Sequence, residues 1–415
     1  MTMVNTPEKL YQEREKRVLD AIALKKPDRV PVLAFFGSFP VEHAKIKYEE
    51  EANDPIKCLE ANLKANIDFQ PDMVVPSPTI AGSVLGPLDY KQIKWAGHGL
   101  SSDATYQAVE LAPMKDDEYD ELLYDPSDFI VRKYWARTYG SLNVLESLPP
   151  LRQNIGYFAA PFSFLPFGLP EGVKALNALK KAGEEAVAYV QAMMSHIQQL
   201  KKVGFPMFFI AGTEAPFDFI GDFLRGRKNV MLDMYRRPEK LIAATEKLLP
   251  MAIETGVAGA KMSGNPRVFI AVHGGIEAFM SVEQYKRFYW PTFRELLHGL
   301  VKEGCNPVVL VEGGSTSRLE FLKDVPAGKV CYIFEDVDLK KARVALGGSA
   351  CIAGNVPMSL LATGDPDDVR AYCKMLIDTL GRDGGYIMSA GGSMDNAKVA
   401  NIKAMIEFAK VYGTY

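Results

Sequence analysis

Residues 308–320 read VVLVEGGSTSRLE. Four residues that favour a buried strand run straight into a carboxylate, two glycines, a Ser/Thr cluster and the polar start of a helix. An apolar run with no polar alternation is covered on both faces, which is the situation of a parallel strand flanked by helices. In such sheets the residue that ends a strand faces the open carboxyl-terminal edge, where α/β proteins keep their sites. Glu312 is therefore read as a mouth residue, and the pattern around it predicts the fold.

The same pattern recurs along the chain: VPVLAFF (30–36), DMVVP (72–76), FPMFFIAG (205–212), VFIAV (268–272), PVVLVE (307–312), KVCYIFE (329–335), ACIAGN (350–355) and GYIMSAGG (385–392). GYFAAPFSF (156–164) is a further strand candidate, one more than an eight-stranded barrel needs, and the sequence alone does not say which is the excursion. Between them lie stretches with helical apolar spacing: 171–202, 236–262, 281–304, 365–384 and 396–413. Ser281 with Gln284 has capping-box spacing, and Asp365 precedes Pro366 as an N-cap would. Residues 85–123, rich in turn formers, read as a β-hairpin or loop insertion. No repeat and no Pro/Ser-rich linker divides the chain. The expected fold class is α/β, a single (β/α)8 TIM-type barrel domain over residues 1–415, with an N-terminal helix and one insertion.

The chain has 415 residues, 48% hydrophobic and 24% charged, enough to build a full core and far from the composition of disorder. Lys and Arg total 48 against 51 Asp and Glu, and no basic run stands out, so nucleic acid is not expected as a partner. The N-terminal stretch is charged and amphipathic, with no apolar signal-peptide core and no membrane-length apolar run anywhere, so a cytoplasmic protein without membrane partners is expected. Five cysteines (Cys58, Cys305, Cys331, Cys351, Cys373) show no CxxC pairing and read as buried structural thiols.

Reading the strand ends gives a candidate rim: Glu214, Glu312, Glu335, Asn355 and Ser389. One strand-ending Glu can simply accept bonds from the next helix, but three recurring on one sheet edge point to function. Gly313, Gly314, Gly354, Gly391 and Gly392 leave room for a ligand beside them. His273, after another apolar run, is the best placed of five histidines to titrate in a pocket. Asp218 and Asp222 could reach the same mouth, although an N-capping fate is common for such residues, and Arg225 could grip a carboxylate or bridge to Asp222. Phe35, Phe36 and Phe39 could wall the mouth for an apolar donor, with core packing as the competing role. No GxGxxG after a first strand, P-loop, HExxH or GxSxG occurs.

Several of these stretches together resemble the uroporphyrinogen decarboxylase superfamily: RVLDAIALKKPDRVPV (17–32), FDFIGDFLRG (217–226), MLDMYRRPEKL (231–241), SVEQYKRFYWPTFRELL (281–297), CIAGNVPMSLL (351–361) and GGYIMSAGG (384–392) followed by NIKAMIEFAK (401–410). The resemblance implies a (β/α)8 barrel with its site at the carboxyl-terminal mouth. It also implies one of two activities: cofactor-free decarboxylation of porphyrinogen acetate groups, or methyl transfer involving a corrinoid protein, usually with zinc.

The decarboxylases of the family carry an arginine-bearing loop after the first strand, where AFFGSFPVEHAK (34–45) has none. The thiol-directed methyltransferases carry a His-x-Cys and a later Cys whose places fall on Glu312, Gly314 and Gly392, so thiolate-bound zinc is not expected. A harder Glu, Glu and His set described for other relatives finds Glu320 and Glu335 at its spacing, but Val356 at the histidine's place. The expected site is accordingly Glu312, Glu335 and His273, as catalytic residues and as metal ligands, with Asp222 as a further catalytic group. Phe36, Glu214, Arg225, Asn355 and Ser389 are the expected substrate contacts. The activity expected is methyl transfer between a small ether-type or similar methylated substrate and the corrinoid of a carrier protein, with zinc and a possible homodimer. A decarboxylase of the uroporphyrinogen type, and a degenerate binding barrel without catalysis, are the alternatives.

Overall fold

The computed structural model describes residues 6–77 and 79–415; the first five residues of the N-terminal stretch lie outside it. Helix α1 (Pro7–Ile22) opens with Pro7 at its first position and the Thr6 hydroxyl accepting from Lys9 N–H. Two parallel sheets follow. β1 (Leu33–Ala34) pairs with β2 (Met73–Val74). The second sheet contains β3 (Ala211–Gly212), β4 (Arg267–Val272), β5 (Asn306–Gly314), β6 (Cys331–Asp336), β7 (Cys351–Gly354) and β8 (Tyr386–Ile387), in spatial order of sequence and parallel throughout. Parallel bridges Val74↔Met207 and Val32↔Met388 tie the small sheet to both ends of the large one, with Phe208 N–H donating to the Val74 carbonyl at 2.7 Å and Leu33 N–H to the Met388 carbonyl at 2.9 Å. Each of these eight strands coincides with one of the apolar runs quoted above; β1, β2, β3, β7 and β8 lie wholly inside theirs, and β4, β5 and β6 extend past theirs by one or two residues at an end.

Sequence parity sorts the strand residues into two cores. Val308, Cys331, Ile333, Cys351 and Ala353 pack in an inner cluster. Val309, Val311, Tyr332, Phe334 and Ile352 pack outward against the helices. This is the alternation of a sheet covered on both faces. Val18, Ala21 and Ile22 of α1 join the inner cluster, so α1 closes one end of it. Asp72, 1% exposed, locks α1 in place: it accepts from Arg17 and Arg29 at 2.7 Å and from Val32 N–H at 2.8 Å.

The outer helices relevant here are α2 (Pro170–Lys202), α3 (Pro238–Ser263), α4 (Trp290–Lys302), α5 (Pro366–Leu376) and α6 (Val399–Tyr412). The Ser281/Gln284 capping box forms in both directions. Asp365 sits at the N-cap of α5, yet its side chain makes no cap bond. GYFAAPFSF is not a strand: Ala160–Gly168 is a run of 3-10 turns, because Pro161 and Pro166 withhold ladder donors. The insertion contains the expected hairpin, Ile93–Ala96 antiparallel to Gln107–Ala108. All five cysteines are free and buried. No helix among the described residues is long and apolar enough to cross a membrane.

Candidate active site

The last regular pairs of the central strands are Val272↔Val311 and Val311↔Phe334, with the register shifting beyond Val311. His273, Glu312 and Glu335 follow immediately, on the parity of the inner cluster, so the sheet that buries Val308 and Ile333 turns these side chains toward its carboxyl-terminal opening. Gly313 then adopts φ of +66° and donates its N–H to a Glu335 carboxylate oxygen at 2.7 Å.

His273 is the centre of the cluster. Nε2 lies 2.5 Å from Asp222 and Nδ1 3.2 Å from Glu312. Burial works to strip the ring of its charge, but the hydrogen bonds to Asp222 and Glu312, with Asp218 beside them, outweigh it and push the pKa up to about 11. Both ring nitrogens therefore carry protons at neutral pH. Asp222 also faces the Arg227 guanidinium at 3.2 Å.

Asp218 comes from a helical turn that starts at Pro216 and widens into a π-turn over Ile220–Arg225. Its carboxylate does not cap its own helix. It accepts from Gly274 N–H at 2.7 Å, His273 N–H at 3.4 Å and the Tyr289 hydroxyl at 2.6 Å. Position 274 must be glycine, since a Cβ there would stand 2.3 Å from an Asp218 oxygen. Burial pushes the Asp218 carboxyl up to about 6, against the opposing pull of His273. Burial, with Asp218 next to it, pushes Glu214 further, up to about 8. One Glu214 oxygen is fully buried with no hydrogen-bond partner among the described residues, so Glu214 is a neutral acid at pH 7 whose proton has not been claimed. A cavity of about 260 Å³ opens beside it, lined by Phe219, Met251 and Phe269 among others.

A wider cleft of about 630 Å³ lies between the loop after β1, the insertion and the loop after β8, with Glu42, Glu51, Tyr106 and Asp395 on its walls. Burial and Asp395 push Glu51 up to about 7. The Tyr106 phenol is raised by burial and by the charges of Asp395, Glu312 and Glu51, which puts cleft and carboxylate cluster on one rim.

Of the expected site residues, His273, Glu312, Asp222 and Glu214 come together. Glu335 is one strand over with its carboxylate turned to Gly313, so the expected Glu312, Glu335 and His273 ligand set does not assemble. Among the described residues, the donors that do lie within 4.8 Å of one another are Asp218, Asp222 and His273. Asn355 flanks Glu335, donating to its carbonyl at 3.3 Å and accepting from Tyr372 at 3.3 Å. Ser389 is fully buried and gives its proton to the Ala390 carbonyl. Arg225 faces away: it is buried in an ion pair with Asp233 at 2.7 Å and donates to the Met114 carbonyl. Phe36, 1% exposed, stacks on Phe39 and packs on Phe69 in the core instead of walling the mouth. Glu320 is exposed on a surface helix and bound to Lys323. Tyr289 was not foreseen, and within SVEQYKRFYW nothing but helical phase distinguishes it from its aromatic neighbours.

Parallel strands ending in a partly buried cluster of carboxylates around one imidazolium define an α/β protein with an enzyme-like site at the carboxyl-terminal sheet edge. Residues 162–412 match the uroporphyrinogen decarboxylase (URO-D) family, and the chain belongs to that family. A uroporphyrinogen decarboxylase from Chlorobium luteolum is 24% identical over 182 residues, 43% of this chain and 50% of that protein, so the matched part spans half of that relative's length. One from Geobacter metallireducens is 24% identical over 271 residues, 64% of this chain and 77% of that protein. In fold, the chain is similar to a methyltransferase from Methanosarcina mazei, with a TM-score of 0.64 at 15% identity over 98% of this chain and 99% of the other.

Proposed function

We propose that this chain is a methyltransferase component acting on a small, neutral or cationic methylated compound, with the corrinoid of a separate carrier protein as methyl acceptor. The reading takes the two sheets as a single eight-stranded barrel, joined at Val32/Met388 and Val74/Met207, with the cluster at its mouth. The observation that carries it is the charge of that mouth. Asp218, Asp222 and Glu312 face one imidazolium, with Glu214 beside them and Glu335 on the next strand, while the arginines of the same elements are engaged: Arg225 with Asp233, Arg227 with Asp222, Arg318 with the carbonyls of Gly275 and Met280. A porphyrinogen bearing many carboxylates would meet repulsion there in place of bidentate partners.

In this mechanism the methyl group leaves its oxygen or nitrogen for the cobalt(I) of the corrinoid co-substrate, and the departing atom takes the Glu214 proton, leaving a carboxylate that solvent reprotonates. His273, protonated and braced by Asp222 and Glu312, holds Glu312 in place and offsets part of the negative charge that develops. Asp218 fixes the loop carrying His273 through Gly274 N–H. Asp218, Asp222 and His273 would hold a divalent cation of the zinc type only with one His273 nitrogen deprotonated, and the cation would then replace the imidazolium's charge and supply Lewis acidity toward the leaving atom.

The test combines two measurements. Methylation of cob(I)alamin is followed spectroscopically with a panel of methyl ethers and methylamines, and bound metal is measured by elemental analysis for wild type and Asp222→Asn. Methyl transfer by wild type, lost in Glu214→Gln, supports the reading. Absence of transfer across the panel together with carbon dioxide release from a carboxylated substrate would replace it with decarboxylation, the activity in the names of the Chlorobium and Geobacter relatives. In that chemistry Glu214 would protonate the carbanion. An inert, empty binding barrel is disfavoured, since a buried unpartnered carboxyl oxygen costs on the order of 1–3 kcal/mol with no return in stability.

A further inference from the structure

Helix α2 is apolar on two opposite sides. One side carries Ala175, Ala182 and Leu200 into the protein. The other faces solvent, and its residues recur with alternating steps of three and four: Val173, Leu176, Lys180, Gly183, Val187, Val190 and Met194, with Leu169 in phase just ahead of the helix. The apolar members are exposed, from 46% at Val173 to 64% at Met194. That spacing is the seam of a two-helix coiled coil, yet among the described residues no helix covers it. Next to it, residues 154–170 contain no charged side chain, and Tyr157, Phe158, Phe162 and Phe164 are each more than 60% exposed.

We propose that a second copy of this chain covers this face, its α2 lying antiparallel on the first with a two-fold axis between residues 181 and 182. At about 200 Å² per aromatic side chain, the four aromatics and the exposed seam offer about 1,000 Å² per subunit, against the roughly 800 Å² per partner of a stable interface. That also exceeds the largest apolar patch normal for a monomer. Antiparallel register sets Val173 on Val190, Leu176 on Val187 and Leu169 on Met194 of the second copy. The two seam positions without an apolar side chain, Lys180 and Gly183, then find a purpose. Lys180 falls on Gly183 of the second copy, where a Cβ would meet nothing within 4 Å in the single chain, and its ammonium reaches Glu184 of the second copy. A mid-helix glycine, unfavourable by about 1 kcal/mol in an exposed position, is explained as the hole that admits this lysine.

Sedimentation velocity on the full chain at micromolar concentration tests the proposal, with Lys180→Glu and Glu184→Lys as variants. Wild type sediments as a dimer. Each variant alone sets like charges across the axis and weakens association about tenfold or more. Mixing the two variants restores dimers as one-to-one heterodimers, visible by native mass spectrometry. Lys180 and Glu184 are also an i,i+4 pair within one helix at 3.3 Å, but loss of that pair is not repaired by mixing, so the mixture separates the two explanations. Circular dichroism of both variants should match wild type, because both positions are exposed. A wild-type monomer at about 50 µM overturns the proposal, as does a dimer indifferent to both substitutions. If that monomer instead co-sediments with phosphatidylcholine vesicles, the aromatic segment is a membrane-surface contact.

Discussion

At the scale of single residues, the site is a contest between burial and charge. Glu214 holds its proton because desolvation, reinforced by Asp218, Asp222 and Glu312, outweighs the pull of His273, and His273 holds its own because two hydrogen-bonded carboxylates outweigh desolvation. The first has a stability signature. A carboxyl raised from 4.5 in the unfolded chain to about 8 in the folded one contributes stability that is full below pH 4.5 and lost as the pH climbs through 8. Wild type should therefore lose several degrees of Tm between pH 5 and pH 8 relative to Glu214→Gln, which has no proton to lose there; parallel melting curves for the two proteins would show that Glu214 ionises normally. If Glu214 is the general acid, the same substitution lowers kcat by about 10²-fold or more. Arg225 has a different fate. Arg225→Ala leaves Asp233, 1% exposed, with only the Tyr119 hydroxyl and the more distant Arg237, and should cost about 3 kcal/mol in urea denaturation, while the folded fraction keeps its kcat/KM.

At the scale of elements, strand ends were legible because parity and apolar length are local properties. VVLVE announces both that Val308 is buried and that Glu312, four residues on, shares its side of the sheet. What the sequence could not show is where carboxylates on neighbouring loops turn. Glu335 obeys strand parity yet bonds the backbone of Gly313, and Asp218, readable as a helix cap, crosses to Gly274 of the next loop. Both outcomes depend on distances between elements far apart in sequence. Capping shows the same limit within one motif type. Ser281→Ala removes a formed capping box and should cost about 1 kcal/mol. Asp365→Ala removes a residue of the right type that makes no cap bond, and should change the denaturation midpoint little. Equal losses at the two positions would mean that Asp365 caps α5 in solution.

At the scale of the whole molecule, α1 is structurally part of the sheet it plugs. Asp72 gathers Arg17 of α1, Arg29 and the Val32 N–H that opens β1, so Asp72→Ala leaves Arg29 without its carboxylate, Arg17 with Asp28 alone, and the Val32 N–H unpaired. It should destabilise the entire fold by about 3–5 kcal/mol in one cooperative transition. A separate early loss of α1, read by proteolysis at its arginines, would show that the plug and the sheet are independent units.

The bridge between Val32 and Met388, with Val30 N–H donating to the Gly413 carbonyl, joins residues separated by most of the chain. The first strand therefore has no complete pair of neighbours until the last one has been made. During synthesis the outer edge of β1 waits unpaired while every later strand down to β8 is added, and closing so long a loop is slow. Closure of the sheet must wait for β8 and Gly413, and the interval before it is when this protein most needs protection from aggregation.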